Sequence, residues 1–184
     1  MLTAETNTWA STVTQVAQLV KQLRAADYQV VTDLGLSDQQ WINLVLGIIQ
    51  HESSGESGAL GDDGCSYGLM QVNWCWWSAH DQAALRYPQQ DQASGTWSLI
   101  GVTSGPQLYT AWTNVGVGMN LLLDDLLVYQ DINAAVVAYN GDDSQVQAWI
   151  QGGPQPENIG YLYSVLDILG VPADYFDQLV KKKT

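Results

Sequence analysis

Glu52 is the residue with the plainest chemical potential in this chain. Trp41, Leu44, Val45, Ile48 and Ile49 recur at three- and four-residue spacing, which predicts one apolar stripe on a helix. Four residues past Ile48 and three past Ile49, the stripe ends on Glu52. A carboxylic acid at the core-facing end of a helix loses solvation of its ionised form. Its pKa therefore rises, and it can donate a proton near neutral pH. A Glu in a frayed last turn would instead swing out to water, and the stripe alone leaves both uses open.

The elements that must hold Glu52 follow from the surrounding pattern. Ser37 with Gln40 three residues on predicts a capping box at the start of its helix. Ser53, Ser54, Gly55, Ser57, Gly58, Gly61 and Gly64 predict a loop after it, and SYGLMQVN a short apolar strand introduced by Gly68. Upstream, Trp9, Val13, Val16, Leu19, Val20 and Leu23 share one face, predicting a single amphipathic helix over residues 7–26 that packs on the core. Downstream we expect a third helix from Cys75 to Tyr87, stopped by Pro88, and a loop over 88–105 anchored by Trp97 and Ile100. Ser104 and Pro106 suit a helix start running to Gln130, broken around Asn114-Val115-Gly116, with NVGVGMNLLLDDLLVYQ as the central core helix. Asp131 caps INAAVVAYN; further helices are expected over Ser144–Ile150, from Glu157 through Leu169, and over Ala173–Lys182. The fold class is mainly α with one small β-hairpin. It forms a single domain over 1–184, in which residues 1–37 are an N-terminal helical extension.

The motif residues resemble the lysozyme-like superfamily, in particular goose-type lysozymes and soluble lytic transglycosylases. Their shared pattern is Glu-Ser closing a helix, a Gly-rich loop, then Gly-Leu-Met-Gln; here Glu52-Ser53 and Gly68-Leu69-Met70-Gln71 stand in that order. Gly61-Asp62 matches the goose-type Gly-Asp, and Ala138-Tyr139-Asn140 the family's Ala-Tyr-Asn. Glu157 to Tyr161 is similar to its Glu-Thr-x-x-Tyr. The resemblance covers roughly residues 38–170. It departs at Asn73, where goose-type chains carry a second Asp.

The resemblance implies a lysozyme-like α+β domain with its hairpin beside the active-site cleft, acting on the β-1,4 bond between N-acetylmuramic acid and N-acetylglucosamine. Glu52 would be the general acid and Asp62 would position a water for inverting hydrolysis. The alternatives are a lytic transglycosylase forming 1,6-anhydro ends, a chitin-cleaving relative, or an inactive glycan-binding domain. Ser53, Tyr67, Gln71, Asn73, Tyr139, Asn140 and Tyr161 are the implied substrate-binding or acid-facing residues. Each has a plainer use: Ser53 as a helix-end hydroxyl, Tyr139 as core, and Asp62 or its neighbour Asp63 as an Asx-type turn beside Gly64. Trp74, Trp76, Trp77 and Trp97 could stack on sugar faces, with at least one of the first three expected in the core. His51 reads as structural. Cys65 and Cys75 are expected to form a disulfide, because the implied substrates lie outside the reducing cytosol; two buried thiols are the alternative.

Composition narrows the partners. Lys and Arg total 6 against 19 Asp and Glu, a formal net charge of −13, which argues against nucleic-acid binding. No apolar run reaches the roughly 18–20 residues of a membrane span. No metal site is expected from two Cys and two His without zinc spacing, and no cofactor is implied. The substrate that the resemblance implies makes extracellular or phage-borne action on a cell wall the expected setting; no signal-peptide pattern is visible, so a processed product, or exit by lysis or in a phage particle, is expected. The expected partners are peptidoglycan glycan strands or chitin oligosaccharides, bound by a monomer, and the Lys181–Lys183 tail receives no role.

Overall fold

A computed structural model of the protein describes residues 1–141 and 143–181. Its organising pair is the helix carrying Glu52 and a longer apolar helix crossing the centre. In chain order the helices and strands are α1 (Ala4–Thr8), α2 (Ala10–Leu23), α3 (Ala25–Asp33), α4 (Asp38–Ser53), β1 (Leu60–Gly61), β2 (Ser66–Tyr67), β3 (Val72–Asn73) and α5 (Trp74–His80). They continue with β4 (Arg86–Gln90), β5 (Trp97–Gly101), α6 (Ala111–Tyr129), α7 (Ile132–Tyr139), α8 (Asp143–Ile150), α9 (Ile159–Leu169) and α10 (Tyr175–Lys181). Lys182, Lys183 and Thr184, the end of the basic tail, lie outside the described residues.

The predicted start of α4 is realised. Ser37 Oγ accepts from the Gln40 amide and the Gln40 side chain accepts from the Ser37 amide, closing the capping box. Trp41, Leu44, Val45, Ile48 and Ile49 are fully buried. Each such side chain contributes on the order of 1.5–3 kcal/mol of burial free energy, which fixes the rotation of α4 and hence the direction of Glu52. The main core gathers α2, α3, α4, α6, α7 and α9. A second cluster, including Val72, Leu85, Tyr87, Val102 and Leu108, uses Val117 and Leu121 of the same α6. Helix α6 is thus covered on both sides, as its nearly continuous apolar sequence requires.

Four expectations need correction. The expected 7–26 helix is three helices, with breaks at Trp9 and Arg24. Arg24 leaves helical geometry (φ −122°, ψ 42°) and turns a buried guanidinium onto Asp27, Asp124 and Asn120. A charged side chain taken inward needs these partners, and the break supplies the angle. Second, the GLMQ block is the turn of a hairpin, not a strand: β2 and β3 pair antiparallel around residues 68–71, with Leu69 and Met70 fully buried.

Third, the predicted 75–87 helix stops at His80, and the predicted 88–105 loop contains the antiparallel pair β4–β5. Pro88 sits inside β4 opposite Leu99. Both strands of a two-stranded ribbon are edges, where proline's missing N–H can face outward at no cost. The hairpin is held from outside: Trp112 Nε1 donates to the Pro88 carbonyl at 2.7 Å. Fourth, α6 runs unbroken through 114–116, and its break falls at Thr110, after a 3₁₀ turn over Gly105–Tyr109. Asn114 reaches away from its own helix, donating to the Tyr67 carbonyl and accepting from the Met70 amide at 2.7 Å. A Cβ on Gly116 would lie 2.7 Å from Tyr87, and one on Gly118 2.4 Å from the Met70 sulfur. These glycines allow close packing against α6; they do not break it.

Cys65 and Cys75 are disulfide-bonded, Cα atoms 5.2 Å apart, and the Trp74 amide donates to the Cys65 carbonyl at 2.8 Å. The bridge ties the Asp62 loop to α5. Closing a loop of this size stabilises by roughly 3 kcal/mol in the chain-entropy picture. Reduction is therefore expected to lower the melting temperature by about 6–12 °C. An unchanged melting temperature after both thiols are shown to be free would contradict this.

Candidate active site

Glu52 occupies the last turn of α4, which ends at Ser54 in the left-handed conformation (φ 55°). Ser53 Oγ donates to the Leu69 carbonyl at 2.8 Å and accepts from the Gly55 amide, so it straps the helix end to the 68–71 turn. Tyr139 Oη donates to the Met70 carbonyl at 2.9 Å, tying α7 to the same turn. Gln71 (φ 45°) and Asp62 (φ 48°) are both held in the left-handed region, which costs a non-glycine residue on the order of 1–3 kcal/mol. Their backbones are thus set by the surrounding bonds rather than by local preference.

These elements frame a cleft of about 370 Å³ lined by Glu52, Asp62, Gln71, Asn73, Tyr139 and Asn140. Burial raises the Glu52 pKa to about 7. Hydrogen bonding from Tyr161 and Asn140 pulls it down, and the negative charge of Asp62 pushes it up. The buried Tyr161 hydroxyl faces Glu52 without a partner at full hydrogen-bond geometry. Tyr161 stands behind the acid, its ring edge-on to His51 with centroids 4.7 Å apart; burial lowers the His51 pKa.

Asp62 is exposed to the cleft. Its Oδ2 accepts from Ser66 Oγ and from Asn73 Nδ2, the latter at 3.4 Å. Both donors fall on one oxygen, and among the described residues none donates to Oδ1. Asn73 is committed at both ends of its amide, because its Oδ1 caps α5 by accepting from the Trp76 amide at 2.9 Å. Its Nδ2 thus meets Asp62 while its oxygen is taken by the helix start. Asp63 is exposed beside it (φ 54°) and does not line the cleft.

Some expected residues stand elsewhere. Ser53 and Tyr67 do not line the cleft; Tyr67 packs edge-on to Tyr109, centroids 5.1 Å apart. Trp76, 49% exposed, and Trp77 stack on each other and line the cleft. No residue of the Trp74–Trp77 run is fully buried, but Trp74 and Trp77 pack against the second core cluster. Trp97 packs near Trp112 instead, centroids 5.8 Å apart. Two cleft carboxylates were not expected from the sequence: Asp125 on α6 and Asp143 opening α8. The available signal was the Asp124-Asp125 pair in an otherwise apolar helix. Consecutive residues diverge by about 100°, so both cannot face the same way.

Among the described residues no group of three or more His, Cys, Asp or Glu side chains could hold a metal ion, and no helix is long and apolar enough to cross a membrane. A half-buried carboxylic acid, a second carboxyl with one oxygen unused and an aromatic pair are the parts a glycosidase uses. Comparison with curated proteins finds no match. The sequence model described as the transglycosylase SLT domain matches residues 31–159, well over half of the chain. The chain therefore belongs to the transglycosylase SLT domain family, lysozyme-like enzymes that cleave the peptidoglycan of the cell wall.

Proposed function

We propose that the protein hydrolyses the β-1,4 bond between N-acetylmuramic acid and N-acetylglucosamine with inversion, Glu52 acting as general acid and Asp62 as general base. The observation that carries this reading is the unused Oδ1 of Asp62 in the cleft of Glu52. Glu52 gives its proton to the leaving glycosidic oxygen as the C–O bond breaks. A water on the opposite face attacks the anomeric carbon and loses its proton to Asp62 Oδ1. One water is consumed and a free reducing end forms. Gln71 and Asn140 supply amides to the N-acetyl groups, Trp76 and Trp77 offer stacking surface, and Ser53, Tyr139 and Tyr161 hold the frame around Glu52. Residues 1–37 serve as a helical extension of one catalytic domain. Nuclear magnetic resonance of the first-released product tests the reading: the α-anomer is expected, and an initial β-anomer would contradict it.

A second reading has one support of its own, the family match. In lytic transglycosylation the muramic 6-hydroxyl attacks in place of water, and the product ends in a 1,6-anhydro ring. Asp62 would then only orient groups.

Protonation of Glu52 sets the pH limb. With a pKa of about 7, cleavage of an uncharged oligosaccharide should fall about tenfold per pH unit above that value. Net charge adds a separate effect on walls. At −13 the protein is repelled by an anionic wall, so salt at pH 7 should raise wall cleavage by shortening the repulsion to about 8 Å near 0.15 M. An uncharged substrate should show little salt effect. Wall activity that falls with salt would contradict the charge argument.

A further inference from the structure

Asp125 is half-buried on α6 and lines the cleft. Its neighbour Asp124 points outward and is paired with Arg24 at 2.5 Å and Arg86 at 3.6 Å. Asp125 has no such partner: among the described residues none donates a hydrogen bond to it or pairs with it. A half-buried carboxyl left in this way gives up part of its hydration with no protein donor in return. The groups facing it make the deficit larger. Asp143, across from it on α8, accepts from Tyr129 Oη at 2.8 Å, and the nearby Glu52 and Tyr139 supply no positive charge. Among the described residues no Lys, Arg or His lines the cleft.

We propose that the Asp125–Asp143 wall of the cleft is a subsite for a primary ammonium group carried by the substrate. It would come from a glucosamine unit lacking its N-acetyl group or from a free amino group of a stem peptide. An ammonium has three donors and a positive charge, so it answers both the missing hydrogen bonds and the missing charge. A sugar hydroxyl supplies a donor but no charge, and a carboxylate is repelled. A metal ion would need more ligands than are gathered here. N-acetylation converts the amine into a neutral amide, so this wall distinguishes acetylated from de-acetylated strands. The inference rests on reading the cleft as the glycan site.

The test is calorimetric binding to the Glu52→Gln protein at pH 6. The probes are the β-1,4-linked glucosamine tetrasaccharide, its fully N-acetylated counterpart, and a free stem tripeptide containing a diamino acid. An amine-bearing probe should bind at least tenfold more tightly than the acetylated sugar. Adding Asp125→Asn should remove at least tenfold of that affinity and change the acetylated sugar by less than twofold. Asp143→Asn should act in the same direction. Asp167→Asn, which removes the same charge from a remote exposed site, should change every probe by less than twofold. Whichever amine probe shows the Asp125 dependence identifies the source of the ammonium. Amine probes binding no more tightly than the acetylated sugar would overturn the proposal, as would equal losses from Asp125→Asn and Asp167→Asn. Asp125→Ser, with its melting curve, separates loss of the subsite from loss of the fold. Strong amine binding without binding of the acetylated sugar would count against muramidase action while leaving the ammonium subsite in place.

Discussion

Glu52→Gln should keep the fold and reduce cleavage of purified peptidoglycan by at least the roughly 10²–10⁴-fold that a general acid supplies. The amide preserves shape and cannot give up a proton. The same substitution should alter stability, with a sign set by the raised pKa. The folded state favours the neutral acid up to about pH 7, whereas the unfolded chain ionises near the ordinary value of 4.5. Wild-type stability is therefore lost as pH rises from about 4.5 to about 7, and the whole penalty is present above that. A shift of this size corresponds to roughly 3–4 kcal/mol. Glu52→Gln should melt higher than wild type at pH 8 and level with it at pH 4. More than a tenth of wild-type activity remaining would remove Glu52 from its role. A Gln variant no more stable than wild type at pH 8 would remove the buried-acid explanation.

Asp62→Asn should lower wall cleavage by about two orders of magnitude or more, the usual weight of a general base. Asn keeps the size and one oxygen, so Ser66 Oγ and Asn73 Nδ2 retain an acceptor and the loop its left-handed turn. The missing function is the ability to take a proton from water. Ser66→Ala should produce a milder loss of the same kind, because it loosens Asp62 without removing it. Near-normal activity of Asp62→Asn with anhydro product ends would favour the transglycosylase reading.

Which parts of this architecture were legible in the sequence depended on whether a signal was local. The α4 start was legible because Ser37 and Gln40 form a closed local device, and its rotation because Trp41 to Ile49 share one stripe. The cleft was legible through the short blocks around Glu52, Asp62, Gln71 and Asn140, which converge although up to 88 residues separate them. Tertiary contacts hid the rest. The β4–β5 hairpin carries a proline and little alternation, and it is held by Trp112 and α6 instead of by its own pattern. Gly116 and Gly118 look like helix breakers, but they are places of close approach. Ser53 stands in the expected motif, yet its hydroxyl is committed to Leu69, which only the folded turn reveals. Asp125 was hidden inside an apolar run, where a charge ordinarily has no reason to be.

The account stands on water being the nucleophile in the Glu52 cleft. Digestion of purified peptidoglycan in H₂¹⁸O, followed by mass spectrometry of the muropeptides, addresses that step directly. We expect reducing-end products carrying one ¹⁸O, about two mass units heavier than those from ordinary water, because the attacking oxygen becomes the new anomeric hydroxyl. Products that lack the label and weigh one water less, as 1,6-anhydro ends do, would contradict it.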